Sequence, residues 1–381
     1  MAVRRLLGIP GFAIDQIAAR AGADPDVLRL ENLDTDLAPP AAAIAATHAA
    51  LEDDAANSYL PFTGAAALRE RVARRLERHT GQPYSPEQVV ITAGGTEGML
   101  DALLATTDPG DEVVLTDPTY AGMINRVRLV GARPRLVPLT IREDAWRLDV
   151  AALRAAVGTR TRALFLMNPS LPSGAVLDAR EWEAVAAVCR EHDLWLLYNA
   201  AMERILFDGR SLVHPAALPG MASRTIVIGS MSKEYRMIGW RTGWVAGPRD
   251  ILADVARVHL YNVVTATGIA QAAAAAALDM PDSDLAACVV EWQRRRDVVI
   301  DQLRGWSVVP AAGGWSMLLD VGARGYDSFA ASARLLERGR VAATPMRDWG
   351  DRNGDRFVRL VFSNEPVERL MTLGARLRRA L

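Results

Sequence analysis

The stretch GSMSKEYRMIGWRTGW, residues 229–244, contains Lys233, the only lysine in a chain of 381 residues. Every other member of its 44 lysines and arginines is arginine. Arginine serves a salt bridge or a phosphate contact at least as well as lysine, but it does not lose its proton near neutral pH and attack a carbonyl. A lysine whose pKa is lowered does, and the product is a Schiff base. The solitary lysine therefore has two readings: a nucleophilic amine, or one lysine left by chance in a chain that drifted toward arginine.

A second group of residues bears on that choice. TAGGTEG, Thr92 to Gly98, follows a strand-like run and opens a helical one. Gly94 and Gly95 permit close backbone approach, and Thr96 sets a hydroxyl beside helix N–H groups, an arrangement that suits a phosphate. A glycine turn after a strand can also be a turn and nothing more. Ser230 and Arg241 flank Lys233 on a segment that starts at a strand end, and a hydroxyl with a guanidinium fits a dianion. A reactive amine beside a phosphate cradle calls for an aldehyde that carries a phosphate, for which pyridoxal phosphate is the obvious candidate.

The elements that must position these residues are legible as periodicity. From about residue 63 the chain alternates helical stretches (GAAALRERVARRLERH, TEGMLDALLATT, DAREWEAVAAVCREHD) with short apolar runs of strand length: QVVITAGG, DEVVLT, RALFLMN, LWLLYN and TIVIGS. That pattern predicts an α/β fold, a mostly parallel sheet with helices on both faces. Ligands of such sheets bind at the carboxyl ends of the strands, where the glycines and polar residues fall. After about residue 280 a long charged helix, the strands WSMLLDV and FVRLVFS and a last helix predict a smaller α+β domain. The expected division is 1–45 as an N-terminal arm folded onto the small domain, 46–280 as the large domain and 281–381 as the small one.

Composition narrows the class. Half the residues are hydrophobic, 23% are charged and the net charge is −1, so nothing calls for nucleic acid or an anionic membrane. Arg4 and Arg5 precede an apolar run that Pro10 and Asp15 interrupt too early for a signal peptide, and no apolar stretch is convincing as a membrane helix. Cys189 and Cys288 stand in unrelated segments and read as buried free thiols of a reducing compartment. His48, His79, His192, His214 and His259 form no metal-ligand spacing with one another or with cysteine. A cytoplasmic enzyme without a metal is the expectation.

SMSKEYRMIGWRTGW resembles the serine–x–x–lysine segment, with its downstream glycine–tryptophan–arginine, of the class I/II aminotransferases, the fold-type-I pyridoxal-phosphate enzymes. The resemblance covers nearly the whole chain. It implies a large domain built on a seven-stranded type of sheet, and a homodimer with shared active sites acting on an α-amino acid. By it, Lys233 forms the Schiff base with the cofactor and later moves the substrate Cα proton. Ser230, Arg241, Gly94, Gly95 and Thr96 hold the phosphate. Tyr120 in DPTYAG stacks on the cofactor ring, a core tyrosine being the other reading. Tyr59 in NSYLPFTG reaches the other subunit's phosphate, Arg359 in FVRLVFS grips the substrate carboxylate, and Asn168 lies at the substrate.

The departures from the family pattern are specific. Where the family reads asparagine–proline–x–asparagine–proline–threonine–glycine, this chain has NPSLPSG, which keeps Asn168 and puts Leu171 at the second asparagine. Where it reads aspartate–glutamate–x–tyrosine, this chain has Asn199, Ala200, Ala201 and Met202. The aspartate keeps the cofactor's pyridine nitrogen protonated, because an adjacent opposite charge favours the cation. A neutral amide donates or accepts a hydrogen bond but brings no charge. Loss of one charge-assisted hydrogen bond is worth roughly 1.5–3 kcal/mol, one to two powers of ten in rate. Leu171 and Met202 likewise remove the usual donors to the cofactor's phenolic oxygen.

Three functions stay open on these grounds: an ordinary transaminase; a specialised enzyme of secondary metabolism that eliminates, decarboxylates, oxidises or cyclises; and an inactive cofactor-binding protein, against which the retention of Lys233, Arg241 and Arg359 argues. A transcription regulator carrying this domain would need a basic segment ahead of it, and the N-terminal residues are too few. His259 and Tyr261 fall where the family approaches the neighbouring subunit's site, or they pack a helix end. No arginine stands where dicarboxylate-specific members place one, Arg257 being the nearest. ENLDTD puts Leu33 where the family has a glycine-bearing loop over the substrate, which would reshape the pocket.

Overall fold

The structure is a computed structural model describing all residues except 1, 2, 4, 5, 12 and 353; Arg4 and Arg5 thus lie outside the described residues. A two-residue strand β1 (Leu28–Arg29) precedes the strands of the large sheet, β2 (Val89–Thr92), β3 (Glu112–Asp117), β4 (Arg133–Arg142), β5 (Ala145–Leu148), β6 (Thr161–Met167), β7 (Trp195–Asn199), β8 (Thr225–Ser230) and β9 (Gly243–Ala246). Among the described residues these eight are ordered β2-β9-β8-β7-β6-β3-β4-β5. Strands β4, β3, β6, β7 and β8 pair in parallel. β9 runs against both β2 and β8, and β5 runs against β4.

The sheet thus has one strand more than the seven expected. β5 is joined to β4 by a hairpin turn through Glu143 and Asp144, at φ 51° and 56°. Two adjacent left-handed residues match the twist of a two-residue hairpin. The charged tip hides the strand in the sequence.

Runs such as ALFLM are apolar throughout because both faces of the sheet are covered. From β6, Leu164 and Leu166 enter one core and Ala163 and Phe165 the other; from β7, Leu196 and Tyr198 enter the first and Leu197 the second. This is the period-two alternation of a strand. The helices Gly94–Thr106, Ala121–Leu129 and Arg249–Asn262 close the second core with Met99, Leu103, Met123, Ile124, Leu252 and Val255.

Beyond the helix Asp282–Gln302 come β10 (Ser316–Asp320), β11 (Val341–Ala342), β12 (Thr344–Pro345) and β13 (Phe357–Val361). β10, β13 and β12 make a small antiparallel sheet, and β11 pairs in parallel with β1. The Val361 N–H donates to the Leu30 carbonyl at 2.9 Å, so the N-terminal segment is stitched onto the C-terminal part of the chain. No described helix is long and apolar enough to cross a membrane. Both cysteines are free thiols, Cys189 buried and Cys288 only half-buried.

A buried ion cluster fixes the lysine segment. Arg75, 3% exposed on the helix Ala66–Thr80, donates to Glu203 Oε1 at 3.0 Å, Glu234 Oε2 at 2.8 Å and the Tyr235 hydroxyl at 2.8 Å. Glu234 and Tyr235 directly follow Lys233, and Arg204 also donates to Glu234 Oε2 at 2.9 Å. Removing one partner of a buried pair leaves the other charge uncompensated. Because Arg204 and His79 still serve the two carboxylates, Arg75→Met should cost about 3 kcal/mol, read as a shift of the guanidinium unfolding midpoint at unchanged slope.

Candidate active site

The carboxyl ends of the strands open on a cavity of about 340 Å³. Gly95 and Thr96 follow β2, Tyr120 follows β3, Met167 ends β6, Asn199 ends β7 and Ser230 ends β8, and all six line it. Lys233, Arg241 and Arg359 line the same cavity.

One side of it has the makings of an anion site. The helix Gly94–Thr106 begins after Ala93 with no side-chain cap, which leaves first-turn N–H groups without intrahelical partners. The Ala93 N–H itself donates to Glu97 Oε2. Gly94 has φ +77°, and a Cβ there would stand 2.5 Å from Arg241 Nη2, so only glycine lets the guanidinium lie against the turn. Arg241 Nη1 donates to the Ile238 carbonyl at 2.8 Å and to Ser232 Oγ at 3.2 Å, and the Ser232 N–H donates to Ser230 Oγ at 3.1 Å. An uncapped helix start, three hydroxyls and a guanidinium together fit a phosphate dianion. Ser232 was missed in the sequence although it directly precedes the lysine.

Lys233 keeps a face on the cavity while its amine is enclosed. Nζ donates to the Leu33 carbonyl at 2.6 Å and lies 5.0 Å from the centre of the Trp315 ring. Burial lowers its pKa to about 8; Asp34 opposes the shift, and Arg359 and Arg241 add to it. Leu33 lines the cavity, as its place in ENLDTD implies.

Arg359 on β13 is fully buried. Nη2 donates to the Glu31 carbonyl and to Thr344 Oγ1 at 3.2 Å, and the guanidinium lies 4.8 Å from the Trp349 ring centre. Nε and Nη1 have no hydrogen-bond partner among the described residues. Burial brings its pKa down to about 10, against the pull of Tyr120 and Glu31. Unpaired N–H groups of a buried guanidinium are costly, and a carboxylate is the group whose two oxygens would satisfy them.

Asn199 is buried, and its orientation is set by its neighbours. Oδ1 accepts the Ala201 N–H at 3.2 Å, and Nδ2 faces the Met99 sulfur at 3.4 Å. A thioether is a weak acceptor, so the amide offers a donor to the cavity. Leu171 lines the cavity, as does Ala201; Met202 is buried outside the lining. Asn168 also lies outside it, because its Oδ1 accepts the Leu177 N–H at 2.8 Å and braces the loop after β6. Tyr120 lies 5.8 Å from Trp349, ring centre to ring centre.

Tyr59 is 82% exposed and away from this cavity. Tyr261 is exposed as well, whereas His259 is fully buried. His259 Nδ1 is 2.6 Å from Glu97 Oε1 and 3.8 Å from Asp101 Oδ2, so the ring packs between two helices and does not reach the cavity. Glu97, Asp101 and His259 do bring potential ligand atoms within 4.8 Å of one another, a grouping not visible as histidine or cysteine spacing. Within it, His259 Nδ1 is hydrogen-bonded to the Glu97 carboxylate.

The sequence profile of aminotransferase class I and II matches residues 25–373. The arginine–pyruvate transaminase of Pseudomonas aeruginosa is 35% identical over 356 residues, 92% of this chain and 89% of that protein. The solved N-succinyldiaminopimelate aminotransferase of Mycobacterium tuberculosis superposes with TM-score 0.93 at 32% identity, covering 99% of each chain. The aspartate aminotransferase of Thermus thermophilus with maleate gives 0.92 at 28% identity over the full length of both. The chain belongs to the class I and II aminotransferases. It is a pyridoxal-phosphate-dependent enzyme of the transaminase type, and family and fold imply that cofactor. The eliminating, decarboxylating, oxidising and cyclising alternatives have no counterpart among these relatives.

The lowered pKa of Lys233 has a direct reading. The ammonium prevails below about pH 8 and the neutral amine above it, instead of near the free-lysine value of 10.5. Reductive methylation of cofactor-free protein, followed by mass spectrometry of the Lys233 peptide, should give a labelling midpoint near pH 8. A midpoint at the free-lysine value would show that the amine is solvated.

Proposed function

We propose that this cavity binds pyridoxal phosphate through Lys233 and moves the amino group of an α-amino acid to a 2-oxo acid. The carrying observation is a desolvated amine, unique in the chain, set between an anion cradle and a buried guanidinium with two unpaired nitrogens. The cofactor supplies an aldehyde for a Schiff base and a ring that takes up electron density from the substrate Cα. Gly94, Gly95, Thr96, Ser230 and Arg241 hold its phosphate. Tyr120 lies against its ring. Arg359 pairs with the substrate carboxylate and so aims the Cα–H bond. Lys233, its pKa lowered by burial, takes and returns the proton at Cα. Asn168 supports the site through the loop it braces.

Asn199, whose Oδ1 is held by the Ala201 N–H, would offer an N–H to the ring nitrogen, which suits an unprotonated nitrogen. The nitrogen would then lack the positive charge a carboxylate maintains, and the Cα proton would leave more slowly than with an aspartate. The relatives' names span cationic, acylated and acidic amino acids and share amino transfer alone. Exposed Tyr59, Phe62 and Tyr261 support a second copy of the chain as partner, with Tyr59 reaching its phosphate site. The same reading divides the chain at about 45 and 280 and puts it in the cytoplasm, where free thiols persist.

Two measurements follow. Holoenzyme given amino donors with pyruvate or 2-oxoglutarate should transfer the amino group only when the 2-oxo acid is present; ammonia released catalytically without an acceptor would establish eliminative or oxidative deamination instead. Asn199→Asp should speed exchange of the substrate Cα proton with solvent by about tenfold to a hundredfold, the worth of one charge-assisted hydrogen bond. An unchanged exchange rate would mean that the ring nitrogen is not governed by this residue.

A further inference from the structure

Amino transfer leaves one charged group of the cavity unused. Asp15, in the first turn of the helix Ala13–Ala21, lines the cavity next to Ile14. It is the one acidic side chain in a lining that also holds Lys233, Arg241 and Arg359. It has no hydrogen bond or ion pair to another described residue.

In the proposed reading all three cations have other tasks: Arg241 faces the phosphate, Arg359 the substrate carboxylate, and Lys233 is the attachment amine. Phosphate, carboxylate and Asp15 then share one small cavity as anions. A substrate with a second carboxylate would add a like charge to them. A side chain ending in a cation would supply the missing counter-charge. Ile14 and Leu33, in the same lining, offer apolar surface to a methylene stem whose charged head reaches toward solvent. We infer that Asp15 determines specificity and that the preferred amino donor carries a guanidinium or ammonium at the end of an aliphatic side chain. This rests on the amino-transfer reading of the site.

Arginine and citrulline test it, since they match in shape and differ in charge. For holoenzyme with a 2-oxo acid acceptor, kcat/KM should favour arginine by about fivefold to tenfold, between the worth of an exposed ion pair and that of a charge-assisted hydrogen bond. Asp15→Asn should bring the ratio near one, and Asp15→Lys should invert it. Calorimetric titration of both amino acids into the holoenzyme should give the same order of affinities. Equal use of the two by the wild type, a ratio unchanged in Asp15→Asn, or better use of glutamate or aspartate would overturn the inference. If no amino donor is turned over, the amino-transfer reading falls, and the calorimetric ratio in wild type and Asp15→Asn still decides the role of Asp15.

Discussion

The enclosure of one primary amine at the carboxyl edge of the large sheet is the constraint on which the site depends. Burial makes the Lys233 ammonium unfavourable, and Arg359 and Arg241 press in the same direction while Asp34 resists. The outcome is a pKa of about 8, close enough to neutrality for the amine to act as nucleophile and as base. A fully solvated lysine would be protonated; one buried without its contact to the Leu33 carbonyl would leave a polar group unsatisfied.

That enclosure is assembled from distant parts of the chain. Leu33 comes from the segment that β1 stitches to β11, Trp315 immediately precedes β10, Arg359 lies on β13, and the lysine turn is anchored from behind by Arg75 and Arg204 through Glu234. Close approach needs glycine at particular places. Gly229, the penultimate residue of β8, leaves room for the Trp244 ring, into which a Cβ would run, and Gly94 leaves room for Arg241. The lysine turn is therefore held both by residues of the cavity wall and, from behind, by ionic contacts of Arg75 and Arg204 that lie outside it.

Much of this was legible in the sequence for identifiable reasons. Strands β2, β3, β6, β7 and β8 show as apolar runs because both faces are buried, and the residues at their ends are the cavity wall. Lys233, Ser230, Arg241, Arg359 and Tyr120 carry chemistry at family-like spacing and do converge. What escaped depends on contacts remote in sequence. Asp15 and Ile14 enter the cavity from a helix with no motif of its own. β5 is short, and a charged turn hides it. Asn168 is implied as a ligand by its match to the family motif, but its oxygen is spent on Leu177, and Met202 gives its place in the wall to Ala201. His259 is held by Glu97, a partner whose number gives no hint of it.

Asn199 and Leu171 line the cavity of a chain that in every larger respect is an aminotransferase. In the proposed reading their neutrality bears on the rate of proton removal, and Lys233 bears on whether the reaction occurs at all. Borohydride reduction of the protein with pyridoxal phosphate, followed by peptide mass mapping, addresses that amine directly. Phosphopyridoxyl mass on the Lys233 peptide, close to one per chain, is the result expected. Label confined to the N-terminal amine, with the Lys233 peptide unmodified, would contradict it.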